Sequence, residues 1–501
     1  MCFPRQTQSP RGALISHPLP QRLTHAAHLG AIVRDFDRSP WPARLFVLIA
    51  LPITLLMAQI MPLGRMPDET AHVFRADSIR HLQLIGRRDS GASPVPRAYL
   101  LSDPAFSQIG YALPLPPGPQ HFLTADILSI QQSAQWHKPQ DIEVPNTASY
   151  SPVMYLPAAL GLGIGRAIRA SPYNSWVLAR FLSAGVFVAC GALALHSAPR
   201  WWTFAVLCLP MTLSLASSVN PDALNLAVLA LSLALLERDR RILAAVLMSA
   251  VIAQRPTLLP LSLLFLLPLG PRAELALKSP WRRVREVLVA ALPPLAWVAL
   301  AQARATVEII RTPQPYAAGP LWPGDHNALF ASTNGPAQIK VLLAHPLLLV
   351  TLPLDTIVDD FWLRCREVIG VLGALELVLP PCLYVFAWCG LAAAALADVT
   401  NRSRTWPQAL DAVLTLVVLC SGVLLTYLTI YLIWNQVGYP EIEGVQGRYF
   451  LPYLLAGLFA LPMLPARLGV VAPFAAAATA MAVGVVTLVW PESVVRYFYI
   501  A

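Results

Sequence analysis

The stretch GRMPDETAHVFRADSI, residues 64–79, places a group of charged side chains directly after a long apolar segment. The adjacent acids Asp68 and Glu69 suit the positively charged N-terminus of a helix. On such a helix Asp68, His72 and Arg75 follow at spacings of four and three residues, so they share one face. The stretch predicts either an amphipathic interfacial helix with a local ion pair or a carboxylate held at a membrane surface as a general base or cation ligand.

The composition around this stretch is that of a membrane protein. The 501 residues are 56% hydrophobic and only 13% charged, and the mean hydropathy is +0.57. Soluble domains do not have this composition, and apolar runs of about 18 or more residues are typical of transmembrane helices. The net charge of +9 is informative about topology, because Lys and Arg collect in cytoplasmic loops. No nucleic-acid partner is expected.

We predict an all-α polytopic membrane protein with about 11 transmembrane helices, in a range of about 10–13. Residues 1–44 contain six arginines and no apolar run, which predicts a basic cytoplasmic tail before a transmembrane domain over 45–501. The spans are expected at the apolar runs 45–64, 176–196, 202–219, 222–236, 242–254, 256–270, 287–303, 376–397, 411–434, 449–466 and 468–490.

The distribution of basic residues sets the predicted orientation. With the N-terminus in the cytoplasm, the cytoplasmic connections hold 18 Lys and Arg, whereas the short outer connections and the C-terminus hold three. This asymmetry favours two large extracytoplasmic loops, 65–175 and 304–375. Each loop contains one apolar stretch, 151–168 and 340–358, that we expect not to span the membrane. Counting 151–168 as a span would place strongly basic segments outside, so a helix in the outer interface is the preferred interpretation.

A second polar segment, SSVNPDALN (217–225), is expected on the same outer face as Asp68. It contributes Asn220 and Asp222. An isolated Asp at the end of a span is often only a helix cap. A carboxylate at bilayer depth would cost about 2.5–3.5 kcal/mol, so Asp222 is expected near the interface or in a hydrated cavity.

A third polar segment, GYPEIEGVQGRYFLP (438–452), is also expected outside and contributes Gln446, Arg448 and Tyr449. An arginine is well suited to a planar, bidentate grip on phosphate, although it also serves as an interfacial anchor. Two arginines at other outer span ends are expected to supplement it, Arg180 and Arg255. Carboxylates and arginines on one face predict a site for an anionic, lipid-linked substrate. The sequence allows, but does not require, a divalent cation bound by Asp68 and Asp222, and no other cofactor is expected.

The segments MPDETAHVFRADSI, SVNPDALN and GVQGRYFLP together resemble the bacterial membrane-protein family catalogued as domain of unknown function 2142, over about residues 45–490. The segment GVLGALELVLP (370–380) adds to this resemblance. The family is similar in layout to GT-C glycosyltransferases, whose large first outer loop carries an acidic motif and juxtamembrane helices. Asp68 and Glu69 match the first acidic motif, and residues 151–168 match a juxtamembrane helix. Asp222 matches the second acidic motif. In this chain that motif is Asn-Pro-Asp and not a pair of acids, and the missing second acid argues against a metal.

The resemblance implies an inverting transfer of a sugar from a polyprenyl-phosphate carrier to a cell-envelope glycan or lipid, outside the bacterial cytoplasmic membrane. Asp68 would be the general base, oriented by Glu69, His72 and Arg75. The departing phosphate would be stabilised by Arg448 with help from Arg255 or Arg180, and Gln446 and Tyr449 would offer further donors for substrate binding. Sugar hydroxyls or a cation would be bound by Asn220 and Asp222. The alternatives are a transporter or flippase of lipid-linked glycans and a non-catalytic assembly scaffold.

Overall fold

The computed structural model describes residues 39–89, 96–113, 122–268, 280–307, 333–400, 409–461, 464 and 466–500. Most of the predicted basic tail, residues 1–38, lies outside the described residues. One compact unit runs from Trp41 to Ala501. Its first helix begins at Trp41, so the last four residues of the predicted tail belong to that helix.

The unit is predominantly helical, as predicted. Within the described residues we number the α-helices in chain order: α1 Trp41–Ile60, α2 Glu69–Arg80, α3 Ala105–Gly110, α4 Ala125–Gln132, α5 Leu156–Ala167, α6 Pro172–Ser197, α7 Trp201–Leu207, α8 Pro210–Ala216, α9 Asp222–Glu237, α10 Arg241–Gln254, α11 Pro280–Arg304, α12 Gly335–Ala344, α13 Leu348–Gly370, α14 Pro381–Val399, α15 Ala409–Trp434, α16 Leu451–Ala456 and α17 Ala472–Tyr499. Short 3₁₀ segments are Val153–Tyr155, Pro256–Leu266, Gly447–Phe450, Gly457–Ala460 and Ala466–Val471.

Six of the described helices are long and apolar enough to cross a membrane, namely α1, α6, α11, α14, α15 and α17. The bent pair of α12 and α13 would make seven. Other predicted spans are helical but short. Pro210 begins a new helix inside the run 202–219, because its ring supplies no backbone N–H, and divides that run into α7 and α8. With 16 and 14 residues, α9 and α10 reach about 24 and 21 Å, less than the roughly 30 Å of a hydrocarbon core.

The first loop contains a small sheet that the sequence analysis did not predict. Strands β1 Arg87–Asp89, β2 Arg97–Ser102 and β3 Gln140–Glu143 form an antiparallel sheet in that order. Tyr99 of β2 pairs with Arg87 on one side and with Glu143 on the other. Helix α2 packs on β2 and α5, so the sheet supports the helix that follows Asp68.

The apolar stretch 151–168 forms the 3₁₀ segment and α5, together 15 residues or about 22 Å, which is shorter than a span. Helix α5 packs tightly on α6. A Cβ atom added at Gly161 would lie 2.5 Å from the Ala179 Cα, so only glycine permits this approach. Leu156 and Leu160, one turn apart on α5, are exposed. This pattern suits the interfacial placement expected for 151–168.

The stretch 340–358 falls on α12 and α13, which are bent by 104° at their junction, as in a broken span or a re-entrant loop. Helix α13 leads into a two-stranded hairpin, β4 Val371–Leu372 and β5 Leu377–Val378. Glu376 in this hairpin forms a buried ion pair of 2.5 Å with Arg65. The pair joins the segment after α13 to the segment immediately before Asp68.

Candidate functional site

Asp68 is the residue before α2, where the sequence predicted a helix N-terminus. Its backbone is left-handed, with φ 57° and ψ 14°, and its side chain makes no cap hydrogen bond. The carboxylate instead accepts a hydrogen bond of 2.8 Å from Arg448 Nη2, 380 residues later in the chain. The Asp68 side chain is 46% exposed, whereas that of Arg448 is 2% exposed. Asp68 is therefore the solvent-facing partner of a buried guanidinium.

Four charged side chains from the three predicted segments and from the end of α10 form what we call the charged cluster: Asp68, Arg448, Asp222 and Arg255. Arg448 Nε lies 3.7 Å from the second carboxylate, Asp222 Oδ2. Asp222 in turn accepts a bidentate pair of hydrogen bonds from Arg255, of which the Nε bond is 2.8 Å. Negative and positive groups thus alternate, and the predicted convergence of Asp68, Asp222 and Arg448 is observed.

Tyr449 closes one side of the charged cluster with its ring. The guanidinium carbon of Arg255 lies 4.4 Å from the ring centroid, and that of Arg448 lies 5.4 Å away. Such contacts stabilise a cation through the negative ring face. Gln446, one turn earlier, has its Oε1 buried without a hydrogen-bond partner among the described residues. The third predicted segment therefore contributes a cation, an aromatic wall and an unsatisfied amide oxygen.

The Asn220 side chain holds the segments that carry Asp68 and Asp222, and it does not face a substrate cavity. Its Nδ2 donates to the Pro67 carbonyl at 3.1 Å, and its Oδ1 accepts from the Asp222 backbone N–H at 2.9 Å. Arg448 Nη1 reaches the same Pro67 carbonyl at 3.4 Å. Because Asn220 is also only 3% exposed, its amide fixes the segments that carry Asp68 and Asp222 against each other. The predicted role in binding sugar hydroxyls does not follow from these contacts.

His72 lies one turn after Asp68 and is buried, with 4% of its surface exposed. Its Nδ1 is 2.8 Å from the hydroxyl of Tyr155, which is itself fully buried. Burial lowers the pKa of His72 to about 4, against the opposing effect of the Asp68 and Asp222 carboxylates. The imidazole is therefore neutral near pH 7, and it presents a neutral polar group beside the charged cluster.

Glu69 and Arg180, both predicted site residues, pair with each other away from the charged cluster. Arg180 Nε donates to Glu69 Oε1 at 2.7 Å, and neither side chain is exposed. Arg180 Nη2 donates to Glu69 Oε2 at 2.5 Å, and the other guanidinium hydrogen bonds go to three backbone carbonyls at and just after the end of α1, those of Ala58, Met61 and Pro62. The Glu69 carboxylate also accepts from the indole of Trp176 and from two backbone N–H groups, those of Gly64 and Val219. With every position filled, Arg180 has no free donor for a phosphate.

Arg75 also lies apart from the charged cluster. The sequence placed it on the same helix face as His72, but the guanidinium is fully buried and donates to the Tyr150 carbonyl at 2.7 Å. It also donates to two other loop carbonyls, those of Gln83 and Leu84. An arginine satisfied by backbone carbonyls holds loops in place, so Arg75 does not orient Asp68 as predicted.

The residues of the charged cluster do not fit a divalent cation. Each candidate ligand, Asp68 and Asp222, is already paired with a guanidinium, whose positive charge opposes a second cation. Among the described residues no group of three or more His, Cys, Asp or Glu side chains is placed to hold a metal.

Two residues near the charged cluster, Glu367 and Tyr150, were not predicted from the sequence. Glu367, near the end of α13, accepts a hydrogen bond of 2.5 Å from the backbone N–H of Gly447, the residue before Arg448. Glu367 is fixed by two hydrogen bonds from Arg364, at 2.9 and 3.0 Å. Tyr150, from the first loop, is the second residue: burial raises the pKa of its phenol to about 12, against the effect of nearby Arg255. Both residues lie in long loops in the sequence prediction, where no periodicity points to a contact.

Helix α9 separates the charged cluster from a different set of charges. Asp222 is its first residue and Glu237 its last, about 22 Å apart along the axis. Glu237 pairs with Arg200 at the far end. The 14 residues between them carry no charge. The charged cluster is thus confined to one end of this helix.

The comparisons with known proteins identify a family but no characterised relative. No curated protein and no solved structure matches the chain. A family model described as "Predicted membrane protein (DUF2142)" matches residues 51–489, which include Asp68, Asp222 and Arg448. The chain belongs to the DUF2142 family of predicted membrane proteins, as the resemblance of its three polar segments indicated.

Proposed function

We propose that this protein is an inverting glycosyltransferase that moves a sugar from a polyprenyl-phosphate carrier to a glycan or lipid acceptor of the cell envelope. The observation that carries the proposal is the contact between the half-exposed Asp68 carboxylate and the buried Arg448 guanidinium. A carboxylate that reaches solvent supplies a base for a hydroxyl, and a fixed arginine beside it supplies a partner for a phosphate.

In the proposed reaction, Asp68 accepts the proton of the acceptor hydroxyl while the acceptor oxygen attacks the anomeric carbon from the side opposite the phosphate. The bond to the phosphate oxygen breaks, and Arg448 stabilises the negative charge that develops there. Arg255 holds Asp222 in place and packs over the Tyr449 ring at the same end of the site. His72 and Tyr155 form the neutral polar side of the site.

A GT-C-type layout with about 11 spans belongs to the same proposal. Beside the six long helices, it requires five shorter segments to cross the membrane: the paired α7 and α8, α9, α10, the 3₁₀ segment Pro256–Leu266, and the broken helix 447–460 that contains α16. The positive-inside count then places the N-terminus in the bacterial cytoplasm and the charged cluster on the extracytoplasmic face of the inner membrane.

The rival proposal of a transporter or flippase finds less support. A carrier needs polar groups along a path across the bilayer. Between Asp222 and Glu237, helix α9 offers only Asn225 and Ser232 as polar side chains. Ser232 is occupied by a hydrogen bond to the Ala244 carbonyl. A polar site at one end of an apolar helix suits chemistry at one membrane face.

The test is sugar transfer by the purified protein in detergent or vesicles, with labelled polyprenyl-phosphate sugars and candidate envelope acceptors. Asp68→Asn should lower the transfer rate about 10²–10⁴-fold, the usual contribution of a general base. The matched control is Glu492→Gln, which alters an exposed carboxylate in an i,i+4 pair on α17. Transfer by Asp68→Asn at the rate of the control would remove Asp68 from the role of base. Topology tags that place the charged cluster on the cytoplasmic face would contradict transfer to an envelope acceptor outside the membrane.

A further inference from the structure

Both arginines of the charged cluster are already engaged by carboxylates. Arg255 is held by Asp222, and Arg448 donates to Asp68. Two negative and two positive groups balance, and the adjacent His72 is neutral near pH 7. A phosphate anion that approaches this arrangement gains little net attraction, and the nearby Asp68 carboxylate repels it. The resting cluster therefore cannot grip a phosphate through Arg448 unless Asp68 gives way.

Asp68 is the member of the cluster that is able to move. Its side chain is 46% exposed, compared with 9% for Asp222. It makes no cap hydrogen bond to α2, so the bond to Arg448 restrains it. Arg448 is fixed from several sides: its Nη1 donates to the Pro67 carbonyl, and its Nε faces Asp222 at 3.7 Å. That Nε is buried and has no hydrogen-bond partner within the described part of the chain, so the Arg448 atom that a ligand would reach is the Nη2 that now donates to Asp68.

We propose that Asp68 occupies the phosphate position on Arg448 in the resting site, and that Arg448 exchanges this carboxylate for the donor phosphate during sugar transfer. This inference rests on the proposed function and specifies how the same two residues act together.

The exchange keeps the charge of the site constant. The acceptor hydroxyl gives its proton to an Asp68 carboxylate oxygen as the acceptor oxygen forms its bond to the anomeric carbon. The bond from that carbon to the phosphate oxygen breaks, and its electron pair stays on the phosphate. Asp68 loses one negative charge while the lipid phosphodiester monoanion becomes a phosphate monoester dianion. Protonated Asp68 therefore no longer competes for Arg448 while the phosphate on Arg448 becomes more negative.

The exchange also accounts for how a strongly paired acid serves as a base. Burial by itself would raise the pKa of Asp68, but the charge and hydrogen bond of Arg448, together with His72, hold that pKa below its usual range. A carboxylate with a low pKa is a weak base near pH 7. Once the donor phosphate takes the place of Asp68 on Arg448, the Asp68 pKa rises, so the base gains strength only when the donor is bound.

The experiment measures binding of a polyprenyl monophosphate, the product lipid, to the purified full chain in detergent by titration calorimetry. Asp68→Asn removes the competing negative charge, and Asp68→Gly removes the side chain. Asn and Gly both tolerate the left-handed backbone at this position (φ 57°), so neither change strains the turn. We expect each variant to bind the lipid about fivefold more tightly than the wild type, the effect of removing one partly exposed charge.

Two controls and two outcomes define the result. Glu492→Gln should bind as the wild type does, and Arg448→Lys should bind more weakly. Equal or weaker binding by both Asp68 variants, with sugar transfer by the wild type intact, would overturn the exchange and leave the glycosyltransferase proposal standing. If the wild type neither transfers sugar nor binds the lipid, and the Asp68 variants do not bind it either, the proposed function fails and the exchange fails with it.

Discussion

Glu69 and Arg180 form an ion pair with no exposed surface on either side chain, although 111 residues separate them in the sequence. Glu69 is the immediate neighbour of Asp68, which is 46% exposed. The two acids of one short segment thus have opposite environments. The pair fixes the start of α2 against α6, and this anchor sets the position from which Asp68 reaches Arg448.

Replacing Glu69 by Gln should destabilise the protein strongly. Removing one partner of a buried ion pair leaves the other charge uncompensated, at a cost of about 3–5 kcal/mol. Thermal unfolding in detergent should therefore show a much lower midpoint for Glu69→Gln than for Glu492→Gln, whose exposed pair is worth about 0–1 kcal/mol. Similar midpoints for the two variants would show that the Glu69–Arg180 pair is not an anchor.

Replacing Arg448 by Lys should weaken donor binding while leaving the fold intact. Lysine keeps the positive charge but lacks the planar fork that allows bidentate contact with a phosphate. We expect the KM for the lipid-linked sugar to rise about tenfold or more, with a smaller change in the KM for the acceptor. Arg496→Lys, at an exposed site on α17, is the control. A donor KM equal to that of the control would exclude a phosphate contact by Arg448.

Glu367 should act as a positioning residue for Arg448. Its carboxylate accepts the Gly447 N–H, and a Cβ atom added at Gly447 would lie 2.4 Å from the Glu367 Cβ. Glu367→Ala and Gly447→Ala should both shift the backbone that carries Arg448 and raise the donor KM. Glu367→Gln keeps an acceptor oxygen, so it should restore most of the donor affinity.

The positioning role predicts a specific kinetic difference. If Glu367 served only the stability of the fold, its variants would lower the amount of folded enzyme and leave the KM of the remaining enzyme unchanged. An unchanged donor KM in Glu367→Ala and Gly447→Ala would contradict the positioning role.

His72 should make stability depend on pH on the acidic side. Its pKa is about 4 in the folded protein and about 6.5 in an unfolded chain, so between these values the unfolded state binds one more proton. Stability is therefore unaffected by His72 above about pH 6.5 and falls as the pH drops towards 4, by about 2 kcal/mol at pH 5. Unfolding midpoints at pH 7.5 and pH 5 should differ less in His72→Gln than in the wild type. The exposed His345 supplies the control, His345→Gln, and an equal pH effect in both variants would contradict this assignment.

The long helices were predictable because each coincides with a charge-free or nearly charge-free run that must be buried or face lipid. The runs 45–64 and 176–196 correspond to α1 and α6, and the run 411–434 corresponds to α15. The sheet of the first loop was not predictable in the same way. Its strands β1 and β3 are three and four residues long and mostly charged or polar, so they show no alternation of apolar residues.

The candidate site was predicted in part. Charge and spacing placed Asp68, Asp222 and Arg448 at one face, and the structure brings them together. The expected role of Glu69 in orienting Asp68 was not found, because the Glu69 carboxylate is directed into the protein towards Arg180, on a helix more than 100 residues away. The prediction that Arg75 orients Asp68 was wrong for a similar reason. Its guanidinium donates to backbone carbonyls of loops, and no local sequence pattern specifies the path of those loops.

The left-handed turn at position 68 limits what natural or laboratory selection can place there. Asp, Asn and Gly adopt such a backbone at small cost, whereas other side chains are penalised. A library at this codon should yield well-expressed Asn and Gly clones that lack a carboxylate, and Glu clones whose carboxylate comes with backbone strain and one extra methylene. Aspartate is then the one acid compatible with both the left-handed turn and the distance to Arg448. Every substitution at this position therefore either removes the carboxylate or strains the backbone.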